Sequence, residues 1–110
     1  MIVAVVGSRG IEKIDLSQHV PVDCTEIVSG GAKGVDQCAA AYAKLYKLKL
    51  TEFLPEYEKY GKAAPLVRNR QIAEYADKIL AFWDGKSKGT LFVIRYCQKI
   101  GKPCWVIRAT

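Results

Sequence analysis

The stretch Ile2-Val3-Ala4-Val5-Val6-Gly7-Ser8-Arg9-Gly10 decides the fold. Five apolar residues in a row, without polar alternation, mark a strand covered on both faces of a parallel sheet, and Gly7 ends it. Three runs of the same kind follow: Thr25 to Ser29, Lys78 to Trp83 and Cys104 to Ile107. A weaker run, Leu48 to Leu54, mixes charge with apolar residues and suits a sheet edge.

Between these runs the hydrophobic period changes. From Gly34 onward Val35, Cys38, Ala39, Tyr42 and Leu45 recur at the steps of an amphipathic helix. Pro65 is placed to open a second helix, with Leu66, Ile72, Ala73 and Ala76 toward the sheet. A third helix starts at Ser87 as N-cap, carries Val93, Ile94, Cys97 and Ile100, and stops at Gly101 with Pro103 beyond. A short helix is expected around Leu16 to Val20. Strands alternating with helices predict one α/β domain over residues 1–110, with three layers and a mainly parallel five-stranded sheet. Right-handed crossovers favour the strand order 3-2-1-4-5.

Composition narrows the function classes. The 110 residues carry 17 Lys plus Arg against 11 Asp plus Glu, a net charge of +6, and half of them are hydrophobic. This is a globular balance and excludes a disordered chain. Met1 to Val6 is too short to span a bilayer and no charged leader precedes it, so a cytoplasmic protein without a membrane partner is expected. Cys24, Cys38, Cys97 and Cys104 form no Cys-x-x-Cys pair and read as reduced thiols. His19 is the single histidine, so no metal site is expected. The basic surplus leaves three kinds of partner open: a nucleic acid, an anionic small ligand, or solvent alone.

In a sheet of this order a ligand binds beyond the carboxyl ends of the strands, where the winding reverses. Three glycine-rich loops fall on that edge: Gly7-Ser8-Arg9-Gly10, Ser29-Gly30-Gly31-Ala32-Lys33-Gly34-Val35-Asp36 and Asp84-Gly85-Lys86-Ser87-Lys88-Gly89-Thr90. Their glycines can bring bare N–H groups close to a ligand, and helices starting there add their positive ends, which suits phosphate. Taken singly, each loop also reads as an ordinary strand-to-helix turn. Arg9 can grip a phosphate in two places and Lys33 can serve as a point charge, whereas Lys86 and Lys88 also fit a solvated loop. Arg68 and Arg70 lie on the helix leading into the fourth strand. Asp36, one turn into its helix, can accept from a ribose or hold the glycine loop in shape. Asn69 is a poor mid-helix residue, which points to a side chain bonded toward the site. Trp83 can be core or wall a base pocket, and Asp84 can orient a hydroxyl or form a turn.

Two pattern matches fail. Gly85-Lys86-Ser87-Lys88-Gly89 fits a nucleophile elbow, but His19 lies upstream where no triad base can come from. Gly85-Lys86-Ser87 ends like a Walker A loop, yet that motif needs glycine where Leu80 stands. The first loop is not a G-x-G-x-x-G dinucleotide fingerprint either.

With these residues the chain resembles the YspA-like branch of the SLOG superfamily, which also contains DprA (Smf) and the LOG-type phosphoribohydrolases. The resemblance rests on GSR at Gly7 to Arg9, SGGAKGVD at Ser29 to Asp36, Pro55, Arg68-Asn69, Asp77, WDGKSKGT at Trp83 to Thr90 and GKP at Gly101 to Pro103. It implies a Rossmann-like fold and a pocket for a nucleotide or nucleotide-derived phosphorylated ligand, either sensed or processed. LOG-type enzymes carry PGGxGTxxE, whose glutamate takes part in glycosidic cleavage. Here Gly89-Thr90 is kept and Val93 stands at the glutamate position, so that activity is not implied. Arg68 matches the arginine of those enzymes.

Three functions are therefore carried forward. The first is binding of a nucleotide-like ligand by Gly7, Ser8, Arg9, Ser29, Gly30, Gly31, Lys33, Gly34, Asp36, Arg68, Asn69, Asp84, Ser87, Gly89 and Thr90, with no other cofactor and no catalytic residue assigned. The second is hydrolysis of an N-glycosidic or phosphate bond in such a ligand, for which Asp36 or Asp84 would have to act. The third is nucleic-acid binding, prompted by the charge and by the DNA-processing DprA among the proteins the chain resembles. Apolar helix faces left over by a five-stranded sheet also suggest a homodimer.

Overall fold

One parallel sheet contains β1 (Ile2–Gly7), β2 (Glu26–Ser29), β3 (Lys49–Glu52), β4 (Lys78–Trp83) and β5 (Cys104–Arg108), in the order β3-β2-β1-β4-β5. These elements are those of a computed structural model, which describes residues 1–8, 10–11, 13–30 and 34–108. Strand order and strand positions agree with the apolar runs. In β1 the alternating residues serve two cores. Val3 and Val5 join Ile27, Leu80 and Phe82 on one face, while Ala4 and Val6 join Val28, Ile79 and Ala81 on the other. A strand that is apolar at every position needs cover on both sides, and it has it.

The first face is covered by α1 (Val35–Leu45) through Val35, Ala39 and Ala43, and by a 3₁₀ turn, Leu16–Gln18, through Leu16. The second is covered by α3 (Ala64–Tyr75) through Ile72 and Ala73 and by α4 (Lys88–Ile100) through Val93, Ile94 and Cys97. Between β3 and α3 the chain forms a short α2 (Tyr57–Tyr60) and a 3₁₀ turn, Gly61–Ala63, neither visible in the hydrophobic period.

Three apolar residues assigned to helix inner faces are exposed, among them Ile100, the last residue of α4. Leu45 lies roughly 120° around α1 from the buried line of Val35, Ala39 and Ala43, and is 74% exposed. Leu66 is 43% exposed because the first half of α3 runs beside an open cleft and only its second half sits on the sheet.

At the opposite, amino edge of the sheet the buried Glu26 carboxylate accepts from Tyr75 Oη at 2.6 Å and Thr51 Oγ1 at 2.7 Å, with Lys49 Nζ at 3.9 Å. Burial pushes this carboxyl up, but the two hydrogen bonds and the lysine outweigh it and hold it below its ordinary value. Among the described residues no disulfide joins Cys24, Cys38, Cys97 and Cys104, and Cys24 and Cys97 are buried. Among the described residues no helix is long and apolar enough to cross a membrane.

Candidate functional site

Parallel strands point their carboxyl ends one way and the intervening helices return the other way, so α1, α3 and α4 all begin near the same sheet edge. There, where the winding reverses between β1 and β4, lies a cleft of about 170 Å³. β1 contributes Val6 and Gly7, the turn after β2 contributes Gly30, and the first turn of α1 contributes Asp36. Pro65, Arg68, Asn69 and Ile72 of α3 form one wall. Ser87, Gly89, Thr90 and Val93, at the start of α4, form the other.

Close packing requires glycine at Gly7. A Cβ there would lie 2.5 Å from Val35 Cγ2 and 2.8 Å from Val35 Cβ, so β1 and the first residue of α1 could not keep their approach. Gly34, which caps α1, has φ 77° and ψ −115°, a backbone state that costs other residues dearly. It holds the helix start against the strand end.

Arg68 crosses the cleft mouth. Its Nη1 donates to the Gly30 carbonyl at 3.0 Å and its Nε donates to Asn69 Oδ1 at 2.8 Å. A Cβ on Gly30 would fall 2.5 Å from Nη1, so the bare backbone is what admits the guanidinium. Asn69 thus orients the arginine, which explains an amide at mid-helix.

The loop before α4 is fixed by its own hydrogen bonds. Asp84 Oδ1 accepts from the backbone N–H of Lys86 and of Ser87, both at 2.8 Å. These bonds, Ser87 first, hold the Asp84 carboxyl below its ordinary value. Trp83 Nε1 donates to the Ser87 carbonyl at 3.1 Å, so the indole braces the loop. Ser87 Oγ caps α4 by accepting from Thr90 N–H at 3.4 Å. Ser8 is buried and pins two loops together: its Oγ accepts from Asp84 N–H at 3.2 Å and lies 3.5 Å from Thr90 Oγ1.

Of the residues singled out in the sequence, Gly7, Gly30, Asp36, Arg68, Asn69, Ser87, Gly89 and Thr90 line the cleft. Ser8, Gly34 and Asp84 shape the loops around it, and Ser29 ends β2 beside them, fully buried. Arg9, Gly31 and Lys33 lie outside the described residues. Arg70, Lys86 and Lys88 are exposed and do not line the cleft. The sequence reading missed the apolar lining: Val6, Pro65, Ile72 and Val93. Their only signal was hydrophobicity, which a strand end or a helix core explains equally well.

The arrangement pairs an apolar wall with a guanidinium, two hydroxyls and the amino ends of α1 and α4, a combination suited to an anionic group attached to an apolar or aromatic body. Asp36 is the acidic side chain on the lining, and Val93 adds an apolar surface to the wall at the start of α4. No family model matches the chain, and no solved structure matches it. Among curated proteins it is similar to the "Gene 61 protein" of Mycobacterium phage D29, 36% identical over 83 residues. That alignment takes in 70% of this chain and 66%, just under two thirds, of the phage protein.

Proposed function

We propose that the cleft binds a nucleotide or nucleotide-derived phosphorylated ligand, as the resemblance to SLOG proteins implies. The observation that carries this reading is the meeting of Gly7, Gly30 and Gly89, from three loops far apart in sequence, around one hollow faced by Arg68. The phosphate sits at the amino ends of α1 and α4, where N–H groups lack helical partners, and takes a charge-assisted bond from Arg68. The base or an equivalent apolar body lies against Pro65, Ile72 and Val93.

Thermal unfolding with a panel of nucleoside phosphates, ADP-ribose and NAD tests this. A ligand at 100 times its Kd adds about 2.7 kcal/mol, a rise on the order of 10 °C for a domain of this size, and Arg68→Gln reduces it. If no compound raises the midpoint of the folded protein, the reading is rejected. Chromatography of the same incubations separates binding from turnover: Asp84 is committed to its turn, so any hydrolysis would run through Asp36 and be lost in Asp36→Asn.

A further inference from the structure

The positive charge of this protein is not spread evenly. Residues 84–108 hold six cationic side chains against one carboxylate, a net +5 of the chain's +6, and that carboxylate, Asp84, is consumed by its own turn. α4 itself contains no acidic residue. Its buried residues Thr90, Val93, Ile94 and Cys97 share one side. At 100° per residue, Lys88, Phe92, Arg95 and Lys99 fall within roughly 60° of one another on the opposite side. The three cations are exposed and span about 16 Å along the helix. None of them pairs with a carboxylate among the described residues. Helix stability accounts for Lys99, in the last turn, but not for Lys88, which stands in the first turn with Lys86 just before it, where the helix dipole disfavours positive charge.

From this row we infer that the outer face of α4 is a docking surface for the phosphate backbone of a duplex nucleic acid. The row is straight, convex and of one sign, which matches a line of phosphates. Bases are not read there. Phe92 and Tyr96 are half-buried and stack on each other, with centroids 6.2 Å apart and planes 9° from parallel, so they offer no free platform for an unpaired base. A duplex, whose bases are already stacked inside and whose phosphates face outward, is the form this surface fits. The surface is separate from the cleft: neither Lys88, Arg95 nor Lys99 lines it.

Fluorescence anisotropy with a labelled 20-base-pair duplex, titrated with salt, tests the assignment. Full-length wild type is compared with Lys88→Gln/Arg95→Gln/Lys99→Gln, and with Lys13→Gln/Lys44→Gln/Lys47→Gln, which removes the same charge from exposed positions elsewhere. The α4 triple variant is expected to bind more than tenfold more weakly at 50 mM salt, with a log–log salt slope shallower by about 2.7. The control triple is expected to keep most of the affinity. Circular dichroism checks that both variants are folded. No duplex binding by wild type, or equal losses in both triples, overturns the proposal. It also fails if a single strand binds as tightly as the duplex, or if polyglutamate of matched charge competes equally well.

Discussion

Gly7 and Gly89 both border the cleft, yet the surrounding atoms give them opposite roles. A methyl group on Gly7 would meet Val35, which is buried and β-branched and so has no other rotamer to retreat to. Gly7→Ala is expected to destabilise the domain by about 1–3 kcal/mol, the usual cost of overpacking. Urea unfolding checks this, and Val35→Ala placed in the same chain should recover part of the loss through coupling. A Cβ on Gly89 meets nothing within 4 Å, and its backbone is helical. Gly89→Ala is expected to gain up to about 0.5–1 kcal/mol of stability while weakening nucleotide binding, because its methyl group projects into the hollow. Calorimetry with the tightest compound of the panel reads the second effect. The sequence marks both positions as glycine in a loop; the distance to the nearest side chain separates them.

At the scale of elements, the start of α4 shows how one terminus serves both the helix and the cleft. Ser87 satisfies Thr90 N–H and also faces the cleft. Ser87→Ala is expected to cost about 1 kcal/mol through the lost cap, while Ser87→Asp keeps the cap and the favourable helix-end charge. Against a phosphorylated ligand the same Ser87→Asp variant should bind at least tenfold more weakly, through repulsion between like charges. Thermal midpoints and calorimetric affinities of the two variants separate the roles. The limits of α4 were legible beforehand because Ser87 and Gly101 are chemical stop signals. α2 was not: four residues with no buried side chain leave no periodic trace.

For the whole molecule, the two sheet edges answer to different demands. The carboxyl edge is open and holds the cleft, while the amino edge is closed by the Glu26, Thr51 and Tyr75 network. The folded-state pKa of Glu26 is below its ordinary value of 4.5, so its contribution to stability is present above that pH and is lost as pH falls through the folded value. Wild type is therefore expected to lose stability below about pH 4.5 more steeply than Glu26→Gln, as urea midpoints measured between pH 3 and 7 would show. The order of the strands, the positions of α1, α3 and α4 and the edge on which the glycine-rich loops gather were contained in the sequence. Hydrophobic period and the handedness of crossovers leave few alternatives for a chain of this pattern. Only the tertiary structure decided which loop residues line the cleft and which hold it in shape, that Arg68 leans on Gly30, and that α4 turns Lys88, Arg95 and Lys99 outward. Those outcomes depend on distances between segments remote in sequence, and a local pattern carries no information about such distances.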